Sequence, residues 1–564
     1  MDPVRGLAEL RRRRNAPYLL EVDLTEPLLQ ERPTDPLARF QTRRRTPLPV
    51  LLQALRDAAT DRKVCGLLAK VGSLHMGLAQ AQEVRQAIAG FRAGGKPAVA
   101  WSETFGELAA ATVSYYLAAG FDEIWLQPSG SVGLVGVAAG SLFLAEALDE
   151  AGVQRQIGTR HEYKSAASMF LDRSFTEPDR EARGRVLASA LEQVVAGVGE
   201  GRGIDEDGVR SLVDRAPLTA KEADEAGLVD RLGYRDEVYT DVRRRTSTEA
   251  QLLFAGRYRR RPSVPEQLGR ALKRRRGVVA VITGNGMIRL GRGARGPGSS
   301  VMGSDTIGAA LRAAGREEQV RAVVFRVNSP GGSYMASDAI WREVTRLRES
   351  GKPVIVSMGD VAASGGYFVA APADTIVAEP GTLTGSIGVL GGKLSVAQLL
   401  ERFGVHYDEI TEGRHARMMS PFDEFSAEEW QRVSSWLDEV YDDFVQKVAA
   451  GRSMTTEAVH EVARGRVWTG ADAHERGLVD ELGGLEHAVT LARERAKLPP
   501  DAEVVPFPRT PPMARLRAPR SSEDAGAVEA RFDLTGPLAT LAGRLGLPSA
   551  GALVMPPFEG WPIH

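Results

Sequence analysis

Short apolar runs alternate with longer amphipathic stretches along most of this chain. Runs beginning at Val64 and Val320, with 98–100 and 354–356, have the length and β-branched content of strands. Segments such as 336–349, 396–403 and 427–449 carry apolar residues at helical spacing. Strands alternating with helices predict an α/β fold with parallel sheets.

The pattern occurs twice. Residues 320–352 align without gaps on 64–96, an offset of 256, and both segments close on Gly-Lys-Pro. A four-residue insertion in the first copy, near 101–107, then reduces the offset to 252. GYFVAAPADTIVAEPGTLTGSIGV (366–389) falls on SYYLAAGFDEIWLQPSGSVGLVGV (114–137). GLVD recurs at Gly227 and Gly477, an offset of 250. The expected domains are an N-terminal repeat over 15–242, a basic linker over 243–276, a C-terminal repeat over 277–498 and a Pro/Arg-rich tail over 499–564.

Each copy serves as a control for the other, and three differences carry candidate chemistry. The second copy contains RVNSPGGS (326–333). A strand ending in Asn-Ser-Pro-Gly-Gly makes a tight turn, because Pro sets one φ and Gly tolerates positive φ. Amides freed there can face a developing oxyanion. The first copy has GSLHMG (72–77) instead. The turn also reads as an ordinary surface turn. Next, the second copy contains DVAASGGYF (360–368), with Ser364 between small neighbours that let a substrate approach the hydroxyl. Its counterpart is Thr112, and the alternative for Ser364 is a helix N-cap. Finally, the first copy contains HEYKSAASMF (161–170). Lys164 keeps apolar company there, which would lower its pKa as a lysine base requires. Its counterpart is Ala416, and the alternative is a snorkelling surface lysine. One copy thus holds a serine and a glycine turn, and the other a lysine.

RVNSPGGS, AASGGYF and LTGSIGV (383–389) together resemble the catalytic half of the signal peptide peptidase A (protease IV) family. EYKSA and the duplication resemble the N-terminal half of its long form. The resemblance spans about residues 15–495. It implies two tandem crotonase/ClpP-like spiral α/β repeats, and a homo-oligomer, by resemblance a tetramer, with active sites on a concave interior. It implies a serine endopeptidase acting on hydrophobic peptides such as remnant signal peptides through an acyl-enzyme. Ser364 is then the nucleophile and Lys164 the base. Ser386 orients the lysine, and Gly331 and Gly332 supply the oxyanion hole. No cofactor or metal is implied.

Composition alters little in this picture. Lys plus Arg is 72 against 73 for Asp plus Glu, so no global charge suggests nucleic acid. The one cysteine, Cys65, excludes an internal disulfide. The basic run at 11–14 precedes no apolar stretch long enough for a signal sequence, and no run of 18 apolar residues occurs. The expected location is cytoplasmic or peripheral at a membrane, although family members often carry an anchor. Three other readings stay open at this point. One is a Ser/His/Asp triad using His161, and another is a crotonase-like acyl-CoA enzyme. The third is a non-catalytic scaffold whose arginine runs (11–14, 259–261 and 273–276) meet anionic lipid.

Overall fold

The computed structural model describes residues 16–31, 40, 42–43, 45–72, 76–107, 109–260, 277–296, 299–508 and 531–532. The arginine runs at 11–14 and 273–276, with Arg261, lie outside the described residues, as does most of the tail. So do Ser73, Leu74 and His75 of the first-copy turn. The described residues form two compact units: 16–138 with 187–260, and 139–186 with the residues from 277 onward.

The first unit is built on a parallel sheet. Its strands lie in the spatial order Arg231–Leu232, Glu123–Leu126, Ala98–Ser102, Val64–Lys70, Tyr18–Asp23 and Gln251–Phe254. The last of these falls in the segment expected as a linker and forms the sheet edge.

The second unit repeats this sheet. Glu481–Leu482, Thr375–Ala378, Val354–Ala363, Val320–Ser329, Val278–Asn285 and Val504–Pro506 are parallel neighbours in that order. Successive strand residues point to opposite faces. Ala280, Ile282, Val323 and Phe325 accordingly enter one core, with helices Ser304–Arg316 and Tyr334–Glu349. Val279, Ala322 and Val324 enter another, under helix Leu485–Arg495. Burial on both faces is why these strands contain the apolar runs 278–282, 322–325 and 354–356.

The two α/β repeats also share their internal ties. Tyr115 donates its hydroxyl to the Leu228 carbonyl in one, and Tyr367 to the Leu478 carbonyl in the other. Asp122 accepts from the Ala98 amide, as Asp374 does from Val354. The two tandem α/β repeats expected from the sequence are therefore present. The helices expected at 336–349, 396–403 and 427–449 are Tyr334–Glu349, Ala397–Arg402 and Ala427–Arg452.

Two features of the second unit position the candidate residues. Strand Val354–Ala363 changes neighbours along its length, pairing first with Thr375–Ala378 and later with Leu383–Gly385. Its end, still paired through Ala362 to Ser329, thus exchanges one outer neighbour for another just before Ser364. Residues 139–186 pack into this unit, although residues 187–260 of the first unit separate them from it in sequence. Their strand Gln154–Thr159 pairs antiparallel with Leu390–Ser395, and Arg160 bonds Asp438 and Ser434 on the long helix. No described helix is long and apolar enough to cross a membrane.

Candidate active site

Ser364 links strand Val354–Ala363 to helix Gly365–Ala370 with φ 54° and ψ −118°. Positive φ is uncommon for a residue with a side chain, and such strain persists only where the surroundings impose it. Here the Ser364 amide is held by the Gly385 carbonyl at 2.8 Å. The serine forms no side-chain cap on the helix, so the capping alternative falls. Its neighbours are small by necessity. A Cβ on Gly365 would stand 2.6 Å from Ser337 Oγ, and one on Gly366 2.5 Å from the Ser329 carbonyl oxygen.

The Asn-Ser-Pro-Gly-Gly turn lies against this junction. Gly331 and Gly332 have φ of 107° and 147°, which only glycine adopts readily. A Cβ on Gly331 would stand 2.8 Å from the Gly365 nitrogen. Asn328 Oδ1 accepts from the Val361 amide at 3.1 Å and ties the turn to the serine-bearing strand. The Gly331 amide donates to Ser329 Oγ at 3.1 Å. Of the two amides named from the sequence, that of Gly331 is thus engaged within the turn. The Gly365 amide, which the sequence analysis did not name, lies beside this turn at the first turn of its helix, where intrahelical acceptors are lacking. Its only signal was its place directly after Ser364.

Lys164 is 4% exposed, which overturns the snorkelling alternative. Its Nζ lies 3.2 Å from Ser364 Oγ, and 2.9 Å from both the hydroxyl and the carbonyl oxygen of Ser386. Burial strips water from the ammonium and lowers the pKa to about 7. Ser386 is itself buried with φ 50°, so two of the strained non-glycine residues meet at one amine. The structure thus brings Ser364, Lys164 and Ser386 together, with the glycine turn beside the serine. His161 is placed differently. Its ring packs on Tyr441 and His460, with centroids at 4.3 and 4.8 Å. Desolvation, then the neighbouring His460, lowers its pKa.

The first repeat has closed the equivalent place. Thr112 donates its hydroxyl to the Gly136 carbonyl at 2.6 Å, and Leu134, the counterpart of Ser386, is core.

A small cleft of about 30 Å³ opens beside Ser364. Tyr334, Phe368, Val389, Leu390, Val440 and Phe444 give it apolar walls, and Gly332 and Gly365 lie at its catalytic end. These walls come from four separate segments, and no local pattern in the sequence marks them as one surface.

The sequence matches Peptidase family S49 over residues 90–249 and 346–499. The chain belongs to peptidase family S49. It is 32% identical over 459 residues to "Serine protease SPPA, chloroplastic" of Arabidopsis thaliana, covering 81% of this chain and 67% of that protein. It is 34% identical over 461 residues to "Protease 4" of Salmonella typhi, covering 79% and 72%. "Protease 4" of Haemophilus influenzae is 31% identical over 469 residues, covering 80% and 74%. As a member of family S49 the protein is a serine-type peptidase of the protease IV kind. The family match covers both repeats in two segments, in keeping with the duplication.

Proposed function

We propose that this protein is an endopeptidase that cleaves hydrophobic peptides, remnant signal peptides among them, with Ser364 as nucleophile and Lys164 as base. The observation that carries the reading is the buried Lys164 amine 3.2 Å from Ser364 Oγ. A neutral amine has two N–H groups and one lone pair. With the N–H groups donated to the Ser386 carbonyl and hydroxyl oxygens, the lone pair is left for the Ser364 hydroxyl.

In the proposed reaction Lys164 takes the Ser364 proton as Oγ attacks the peptide carbonyl. The oxyanion is met by the Gly332 and Gly365 amides, with Gly331 shaping the turn, each donor contributing about 3 kcal/mol. The lysine ammonium then protonates the leaving amine. Water, giving its proton to the same lysine, attacks the acyl-enzyme and restores Ser364. The apolar cleft walls suit a hydrophobic side chain next to the cut bond. Self-association is supported by the exposed apolar side chains of Phe403, Val405 and Ile410 in one segment, and light scattering tests it.

The deciding experiment combines quenched hydrophobic peptides with a fluorophosphonate probe. Wild type should cleave the peptides and carry the label on Ser364, and Ser364→Ala should do neither. Label on another serine, or undiminished cleavage by Ser364→Ala, would overturn the reading.

A further inference from the structure

The lysine has no charged partner among the causes that set its pKa, only burial. Its amine ends a four-carbon stem, so packing must hold it in place. The packing comes from a short loop before strand Val467–Thr469. There Arg464 and Gly465 are both left-handed, with φ of 52° and 85°. Three backbone groups of the loop reach both sides of the site. The Arg464 carbonyl accepts from the Tyr163 amide at 3.2 Å, one residue before Lys164. The Gly465 amide donates to the Ile387 carbonyl at 2.8 Å, and the Arg466 carbonyl accepts from the Ser386 amide at 2.7 Å.

Gly465 lies flat on the lysine. A Cβ there would stand 2.5 Å from Lys164 N and 2.6 Å from its Cα and Cβ, closer than real contacts allow. Gly388 lies against both: a Cβ there would stand 2.9 Å from Gly465 Cα and 3.2 Å from Lys164 Cδ. Side chains tie the rim of the same loop. Arg464 pairs with Glu162 at 3.1 Å and Arg466 with Glu181 at 2.7 Å. Tyr163 donates its hydroxyl to Glu181 at 2.9 Å, and both guanidinium groups lie over its ring.

The first repeat supplies a control. At the offset that aligns Gly477 on Gly227, Arg464, Gly465 and Arg466 fall on Asp214, Arg215 and Ala216. The copy with Thr112 and Leu134 in place of the two serines also lacks this glycine.

We propose that Arg464, Gly465 and Arg466 form a clamp that positions the Lys164 amine between Ser364 and Ser386, with Gly465 as the positioning residue. The inference rests on Lys164 being the base. A base displaced by an ångström loses much of its effect, and a rigid supporting shell prevents that displacement.

The test compares Gly465→Ala with wild type and Lys164→Ala, following peptide turnover across pH and checking each fold by thermal unfolding. Folded Gly465→Ala should lose about 100-fold in kcat while KM stays within about twofold. The pH of half-maximal turnover should rise, because a displaced amine regains water. With Lys164→Ala inactive, a wild-type kcat and midpoint in Gly465→Ala would overturn the clamp. A lower kcat with an unmoved midpoint would mark a merely structural role and overturn it as well. A fully active Lys164→Ala would instead overturn the lysine-base reading beneath it. Should Gly465→Ala fail to fold, Glu181→Gln at the exposed rim decides. A kcat lowered about threefold at unchanged KM supports the clamp, and an unchanged kcat overturns it.

Discussion

Lys164 Nζ lies 3.2 Å from Ser364 Oγ across 200 positions of sequence, and both side chains are buried. A charged ammonium at that distance can only donate to the hydroxyl. A neutral amine can accept its proton. Which of the two is present is decided by desolvation, which brings the lysine pKa to about 7.

Turnover should therefore follow the lysine. The base is active when neutral, so kcat/KM should rise with pH through about 7 and level off above it. At two pH units below the midpoint about 1% of the base remains, and kcat/KM should be about 100-fold down. His161→Ala should leave this limb in place, and Lys164→Arg should be inactive, because guanidinium does not deprotonate in proteins. A pH–rate profile that loses its limb in His161→Ala would reinstate the histidine triad.

Ser386 should act through the lysine. Its hydroxyl and carbonyl oxygen, each 2.9 Å from Nζ, direct the remaining lone pair at Ser364. Ser386→Ala keeps the carbonyl and loses the hydroxyl. Turnover should fall about 10- to 100-fold, while fluorophosphonate still labels Ser364 slowly. Undiminished peptide turnover in the folded variant would remove Ser386 from the reaction.

Burial of Lys164 should destabilise the fold near neutral pH. Between about pH 7, its folded pKa, and its ordinary value of 10.5, the unfolded chain holds a proton that the folded chain has lost. The lysine's contribution to stability therefore rises with pH across that window and is poorest below it. Lys164→Met should raise stability by about 3 kcal/mol at pH 7, with the gain shrinking toward pH 10. Thermal unfolding of both proteins across this range checks the slope as well as the sign.

The cleft should select by size. Val440 is buried on the long helix and forms one wall. Val440→Phe would fill part of the space, at a cost of about 1–3 kcal/mol in packing. Peptides with leucine or phenylalanine before the cut should lose kcat/KM about tenfold relative to alanine peptides. Equal losses for both series would place the side-chain site elsewhere.

Much of the fold was legible in the residue pattern, because local physics writes it there. Parallel strands covered on both faces carry apolar runs, as in 322–325 and 354–356, and the helix over them must be amphipathic, as in Tyr334–Glu349. Duplication is likewise a property of residue order, and the offsets singled out Ser364, Ser386 and Lys164 by contrast with Thr112, Leu134 and Ala416. The edge strand Gln251–Phe254 was not legible: four residues in an arginine-rich segment carry too little pattern, and pairing with Tyr18–Asp23 makes the strand. Nor could residue order disclose that 139–186 leaves its own repeat to pair with Leu390–Ser395, or that Gly465 would rest on Lys164. Those are contacts between segments far apart in the chain. Distances there depend on how whole elements pack, and a side chain's charge state depends on the water that packing excludes. The residue types capable of the chemistry could be named from order alone, but the 3.2 Å separation and the lowered pKa of the amine exist only in the folded protein.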